Sequence, residues 1–272
     1  MPSYQEAFLD RPDGCKLFHT IDDCTDPWTT APTVLFVHGL AESTEAWRAW
    51  VPHFARRYRV VRVDLRGFGR STPMPAEFKW SMAVLIDDLV ALIRHLGAGR
   101  VHLVGAKSGG SMTLKLAADH PELVTTLTGV TPPVVGPAGA VDWRKYLLDH
   151  TMLEWAEMTM KGRLGSQASA AEMNWWVHHI QSKTPVSTML GYLQWVPGMD
   201  IRADLDNIAC PTLIINTTGS SMRPADTYKD WQPRIRNSRL LTIDGDAWHA
   251  AGAYPDRCAR ETLAFIEGHA SA

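Results

Sequence analysis

Val101-His102-Leu103-Val104-Gly105-Ala106-Lys107-Ser108-Gly109-Gly110 is the stretch on which the fold turns. An apolar run of strand length reaches a glycine, and small residues then surround a lysine. Residues 111–119 continue as a helix that stops at His120-Pro121. A strand turning tightly into a helix lifts one side chain to the edge of a parallel sheet. It also aims that side chain at the free N–H groups of a helix N-terminus, where negative charge is favoured. Read without gaps, the side chain is that of Lys107. A shift of one residue gives the place to Ser108, between Ala106 and Gly110, but also moves the strand end; Lys107 is the preferred reading.

Working outward, Val34-Leu35-Phe36-Val37 is another continuous apolar run and ends in His38-Gly39-Leu40-Ala41. Such runs suit strands buried on both faces. Arg59–Val63 leads into Asp64-Leu65-Arg66-Gly67-Phe68-Gly69-Arg70-Ser71, a loop whose glycines serve turns and whose Asp and Arg bind it together. Residues 123–130, 211–216 and 239–243 read as further buried strands. Helical patterns fall at 44–54, with Trp47 and Trp50 on one face, at 81–96, with Met82, Leu85, Leu89, Leu92 and Leu96 in register, and at 254–267. Asp87 and Asp88 are expected on the solvated side of the second of these. Strands alternating with helices imply a parallel sheet. Residues 4–10 and 16–22, around Arg11-Pro12-Asp13-Gly14, would add an antiparallel edge.

Taken together, the turn at Gly105–Gly110, the His38-Gly39 pair and the Asp64–Ser71 run resemble the α/β-hydrolase fold family. The resemblance implies a mostly parallel eight-stranded sheet flanked by helices, with an inserted helical cap. Residues 1–132 and 206–272 would form the core and 133–205 the cap. A breaker-rich linker, Thr131-Pro132-Pro133-Val134-Val135-Gly136-Pro137-Ala138-Gly139, and the tryptophans that follow (Trp143, Trp155, Trp175, Trp176, Trp195) mark that insertion. The resemblance places an oxyanion hole at the backbone N–H groups of Leu40 and Ser108, shaped by His38 and Gly39. As a side chain, His38 reads more readily as structural than catalytic. It also places a functional histidine at His249, in Ile243-Asp244-Gly245-Asp246-Ala247-Trp248-His249. Trp175, Trp176, His178, His179 and Trp248 are candidates to face substrate, although the tryptophans could equally glue cap to core. Adjacent His178 and His179 would diverge on a helix, so no metal site is expected.

Two positions depart from the family pattern. The turn carries Lys107 where a serine is usual. The loop Thr217-Thr218-Gly219-Ser220-Ser221-Met222-Arg223-Pro224, which should supply an acid, has no carboxylate; Asp226 comes later and Asp244 and Asp246 lie closer to His249 in sequence only. In serine proteases neutralising the acid costs about 10⁴ in rate, roughly 5–6 kcal/mol. Burial and the helix N-terminus both disfavour a lysine ammonium unless a carboxylate pairs with it. A neutral Lys107 amine could form an imine with a ketone, whereas an ammonium could stabilise an enolate or anchor a carboxylate. An acyl group on lysine would be an amide too stable to turn over.

A formal net charge of −2 over 272 residues offers no basic surface for nucleic acid. No apolar run approaches the roughly 18 residues of a membrane span, and the N-terminus lacks a signal pattern. Cys15, Cys24, Cys210 and Cys258 show no metal or redox spacing and read as free buried thiols of a cytoplasmic protein. No cofactor is expected; the partner is a small-molecule substrate, with a homodimer left open. Three readings follow. The first is an enzyme using Lys107 and His249 on a small apolar or aromatic carbonyl compound, by ester or lactone opening, C–C cleavage or decarboxylation. The second is a conventional serine esterase or lactonase using Ser108. The third is a binding protein that keeps the pocket without catalysis, since a fold alone does not assign function.

Overall fold

The computed structural model of the chain describes residues 3–220 and 222–269. Eight strands form one sheet: β1 (Ser3–Asp10), β2 (Lys16–Asp23), β3 (Thr33–Val37), β4 (Arg59–Val63), β5 (Val101–Ala106), β6 (Val124–Val130), β7 (Thr212–Thr217) and β8 (Ser238–Ile243). Their spatial order is β1-β2-β4-β3-β5-β6-β7-β8. β1 and β2 form the antiparallel edge, and all pairings from β4 to β8 are parallel. The helices are α1 (Val51–Phe54), α2 (Met82–His95), α3 (Ser108–Asp119), α4 (Ala140–Tyr146), α5 (Met152–Leu164), α6 (Ala170–Trp175), α7 (Val186–Trp195), α8 (Asp226–Trp231), α9 (Ala250–Ala253) and α10 (Pro255–Glu267).

The continuous apolar runs become strands because both faces of the sheet are covered. Alternate residues of β3 and β5 go to opposite layers. Leu35, Val37 and Leu103 pack with Leu85, Leu89 and Leu92 of α2 and Met112 and Leu116 of α3. Val34, Phe36 and Val104 pack with Trp47, Trp50, Phe54 and the α10 residues Cys258, Leu263 and Ile266. Burying each large aliphatic or aromatic side chain stabilises the fold by about 1.5–3 kcal/mol. The chain passes from β3 to β4 on one side and then crosses to β5 on the other. That reversal opens a crevice beyond the C-terminal ends of β3 and β5, the usual ligand position in open α/β sheets. Between β6 and β7 the chain forms α4 to α7, of which the end of α5 and the residue after α6 reach His249.

Some local expectations change. Residues 44–54 do not form one helix: a 3-10 turn spans Thr44–Trp47 and α1 begins only at Val51. Pro52 has no N–H to offer Arg48, so an α-helix cannot run through. Asp88 is buried, not solvated; it accepts from Arg66 Nε at 2.8 Å and from Arg11 Nε at 2.8 Å. Cys24 is exposed, while the other three thiols are buried. Most tryptophans serve packing: Trp47, Trp50 and Trp155 have almost no accessible surface. No helix among the described residues is long and apolar enough to cross a membrane.

Candidate active site

Lys107 stands at the apex of the β5–α3 turn with φ +51° and ψ −123°, and Ser108 is the first residue of α3. A side chain held at positive φ costs of order 1–3 kcal/mol and persists only where the surroundings impose it. Here they do. The Lys107 N–H donates to Val130 O at 2.9 Å, and its carbonyl accepts from Ser111 N at 3.1 Å. Gly109 has no room for a side chain, since an added Cβ would lie 2.3 Å from His38 O. Small residues around the lysine thus let α3 press against the end of β3. The Lys107 side chain runs back over Gly39, where an added Cβ would come within 2.6 Å of Lys107 Cε.

The loop after β3 makes its own strained turn. Ala41 has φ +57°, which swings Glu42 back so that its Oε2 accepts from Gly39 N at 2.9 Å. The other oxygen, Oε1, pairs with Lys107 Nζ. The same Oε1 lies 3.4 Å from His249 Nε2, a close approach that does not meet the geometry of a hydrogen bond. His249 is held in place by its backbone, whose N–H donates to Arg163 O at 2.7 Å, and by Trp176, whose ring stands edge-on at 4.8 Å. Neither ring nitrogen of His249 has a hydrogen-bond partner among the described residues. Trp248 faces both cations: Lys107 Nζ and Arg163 Cζ each lie 5.6 Å from its ring centroid. Lys107, Glu42 and His249 are each 1% exposed and Arg163 is fully buried.

Burial sets the charge states. It pushes the Lys107 ammonium down, against the pull of Glu42, to about 8. Burial would raise the Glu42 carboxyl, but the positive charges at His249 and Lys107 outweigh that and hold it at about 2. Burial takes His249 down to about 3, with the Lys107 and Arg163 charges adding to the fall and Glu42 opposing it. At neutral pH the imidazole is therefore uncharged, and the lasting counter-charge to Glu42 comes from Lys107. The arrangement offers an ammonium, a carboxylate and a neutral imidazole converging on one point.

Several candidate residues fall elsewhere. His38 commits both ring nitrogens to backbone: Nδ1 sits 2.7 Å from Gly39 O and Nε2 accepts from Leu65 N at 3.0 Å. It fixes the loop and presents no free polar atom to a substrate. Trp176 and Trp248 reach the cluster, but Trp175 and His179 do not. Adjacent residues point apart, and the π-helix Trp176–Ile180 turns Trp176 inward. Trp175 instead stacks on His179 at 5.9 Å and under Arg48 at 4.3 Å, and His178 and His179 are exposed. Leu40 and Ser108 keep amides that donate to no acceptor among the described residues. The Ser108 hydroxyl neighbours Tyr192, and no hydrogen bond joins it to His249. Asp244 accepts from Thr218 Oγ1 at 3.0 Å, and Asp246 accepts from Ser166 N at 3.0 Å, so neither serves His249.

Glu42 and Arg163 are the additions that the sequence reading lacks. The sequence does require a carboxylate beside a buried lysine, but Glu42 sits among polar loop residues that look solvated. Arg163 lies in the last turn of α5, whose sequence has little amphipathic pattern, and nothing local marks it. A cleft of about 340 Å³, lined by Arg48, Trp175, Trp176 and Gly252, lies outside the cluster. Trp176 and Gly252 both touch His249 and form the wall between.

Comparison with known proteins places the geometry in context. The family model described as alpha/beta hydrolase fold matches residues 32–251. RutD of Caulobacter sp. (strain K31), which bears the name of a carbamate hydrolase, is 27% identical over 94% of this chain and 97% of its own. A fluoroacetate dehalogenase from Burkholderia sp. is 24% identical over 87% of this chain and 88% of its own. Among solved structures, an enol-lactonase from Burkholderia xenovorans LB400 superposes with a TM-score of 0.84 at 18% identity, covering 96% of this chain and all of that one.

Proposed function

Because the chain belongs to the alpha/beta hydrolase fold family, we propose that it is an enzyme that cleaves a small apolar or aromatic carbonyl compound without an acyl-serine intermediate. The observation that carries this reading is the convergence of Lys107 Nζ and His249 Nε2 on Glu42 Oε1, all three residues being buried. Two curated relatives are named for carbamate and fluoroacetate, both small compounds with a carboxyl-derived carbonyl.

The roles follow from charge. The Lys107 side chain runs over Gly39, which precedes the free Leu40 amide, and its ammonium would polarise a carbonyl oxygen there. As negative charge develops on the carbonyl oxygen beside Lys107, it and Glu42 would raise His249 from its resting value of about 3, so that Nε2 takes the proton of the attacking water while hydroxide adds to the carbonyl carbon. Glu42 balances the charge on the resulting imidazolium. Collapse of the oxyanion expels an alkoxide from a lactone or ester, or an enolate from a 1,3-diketone. The leaving group takes back the proton from His249. Entry from the outer cleft requires Trp176 to swing. An imine on Lys107 is the second reading, favoured by an ammonium already lowered to about 8.

The test is turnover of a panel of small lactones, aryl esters, 1,3-diketones and β-keto acids by wild type, Lys107→Met, His249→Ala and Ser108→Ala. Lys107→Met and His249→Ala should each lose about 10²–10³ in kcat, and Ser108→Ala should stay within a few-fold of wild type. Borohydride trapping with intact mass separates the routes, since an adduct on Lys107 selects the imine. Activity abolished by Ser108→Ala but kept by Lys107→Met would return the protein to ordinary ester hydrolysis. Ligand binding with no turnover of any panel member would make it a binding protein.

A further inference from the structure

The guanidinium of Arg163 is the least explained group in the molecule. The residue is fully buried, yet neither terminal nitrogen has a hydrogen-bond partner. Its Nε donates to Thr159 Oγ1 at 3.1 Å. Three indoles surround it, with Cζ at 4.7 Å from Trp155, 5.4 Å from Trp143 and 5.6 Å from Trp248. Aromatic faces attract a cation but accept none of its in-plane N–H bonds. A buried charge with unpaired donors is costly unless something completes it.

Lys107 Nζ and Arg163 Cζ both lie over the Trp248 ring, so they are no further apart than twice 5.6 Å. Glu42 is the one carboxylate whose charge bears on both, among the described residues. With His249 neutral, this buried cluster holds two positive charges and one negative. The cluster carries one net positive charge, and the Arg163 terminal nitrogens are its unpartnered charged donors.

We propose that Arg163 is a binding residue for the carboxylate of the substrate, so that the carbonyl compound cleaved here is a monoanionic carboxylic acid. The unpaired terminal nitrogens form a fork that suits the two oxygens of one carboxylate. On this proposal the substrate lies along Trp248, its carboxylate on Arg163 and its reacting carbonyl toward Lys107. The indoles supply the apolar walls between. This assignment rests on the proposed function for the reacting end, but binding through Arg163 is measurable without turnover.

The experiment compares benzoate with benzamide, a neutral molecule of the same shape, by isothermal calorimetry and by quenching of tryptophan fluorescence. Wild type should bind benzoate at least about tenfold more tightly, as one charge-assisted bidentate contact provides. Arg163→Met should abolish the preference, and Arg163→Lys should keep part of it. Arg163→Met should also melt at or above the wild-type temperature, because an apolar side chain replaces an unpaired charge. Equal binding of the two probes, absence of benzoate binding, or a melting temperature lowered by more than about 10 °C in Arg163→Met would each overturn the assignment. Failure of the Lys107 chemistry would instead appear as missing turnover with the benzoate preference of wild type intact.

Discussion

Replacing Lys107 by Met removes one charge while keeping the length of the side chain, and the structure predicts what His249 should then do. Lys107 Nζ and His249 Nε2 sit on the same carboxylate oxygen, Glu42 Oε1. That places them no more than about 6 Å apart, and at an effective dielectric near 20 two unit charges within this distance interact by about 3 kcal/mol, or about two pKa units. The Lys107 charge is one of the causes that lower His249 to about 3, so its removal must raise that value. The variant imidazole should titrate near 5. Histidine side-chain NMR at pH 5 reads this directly, with His249→Asn identifying the resonance. Wild-type His249 should be neutral at that pH and Lys107→Met His249 roughly half protonated. A His249 titration that moves by less than about half a unit would refute the electrostatic coupling, and with it the idea that ammonium and imidazole act on one substrate.

Other outcomes follow from the same geometry. Gly39→Ala should cut turnover sharply and cost about 3–5 kcal/mol in chemical denaturation, because its Cβ would fall 2.6 Å from Lys107 Cε and must push that side chain off Glu42, splitting a buried ion pair. Asp88→Asn should destabilise the fold by about 3–5 kcal/mol in urea melts, since it strips the buried carboxylate from Arg66 and Arg11. Stability should fall in acid. His249 has a folded value of about 3 against an ordinary 6.5, so between those values the unfolded chain binds the extra proton and stability rises with pH, by up to about 5 kcal/mol for this group. Urea midpoints at pH 4 and 7 check this, and His249→Asn should flatten the slope. In the alkaline range Lys107, lowered from 10.5 to about 8, should make stability rise again between those values, by up to about 3 kcal/mol.

The sequence by itself determined the frame and the apex. Unbroken apolar runs could only be strands covered on both faces, and Gly105, Gly109 and Gly110 around Lys107 spelled a turn so tight that one side chain must stand alone at the sheet edge. Local backbone sterics decide such features, and sterics are written in neighbouring residues. The tertiary structure decided which groups meet that side chain. Glu42 becomes a buried anion only because Ala41 turns it inward and the segment between β6 and β7 closes over it. Asp88 leaves the solvated face of α2 only because Arg66 and Arg11 arrive from elsewhere in the chain. Trp176 faces His249 while Trp175 and His179 face out, because a π-helix rotates the register by an amount that composition does not encode. Charge states belong wholly to this second level. Desolvation and Coulomb energies depend on what surrounds a group in three dimensions, so a lysine near 8 beside a carboxylate near 2 exists only once residues 42, 107, 163 and 249 are brought together.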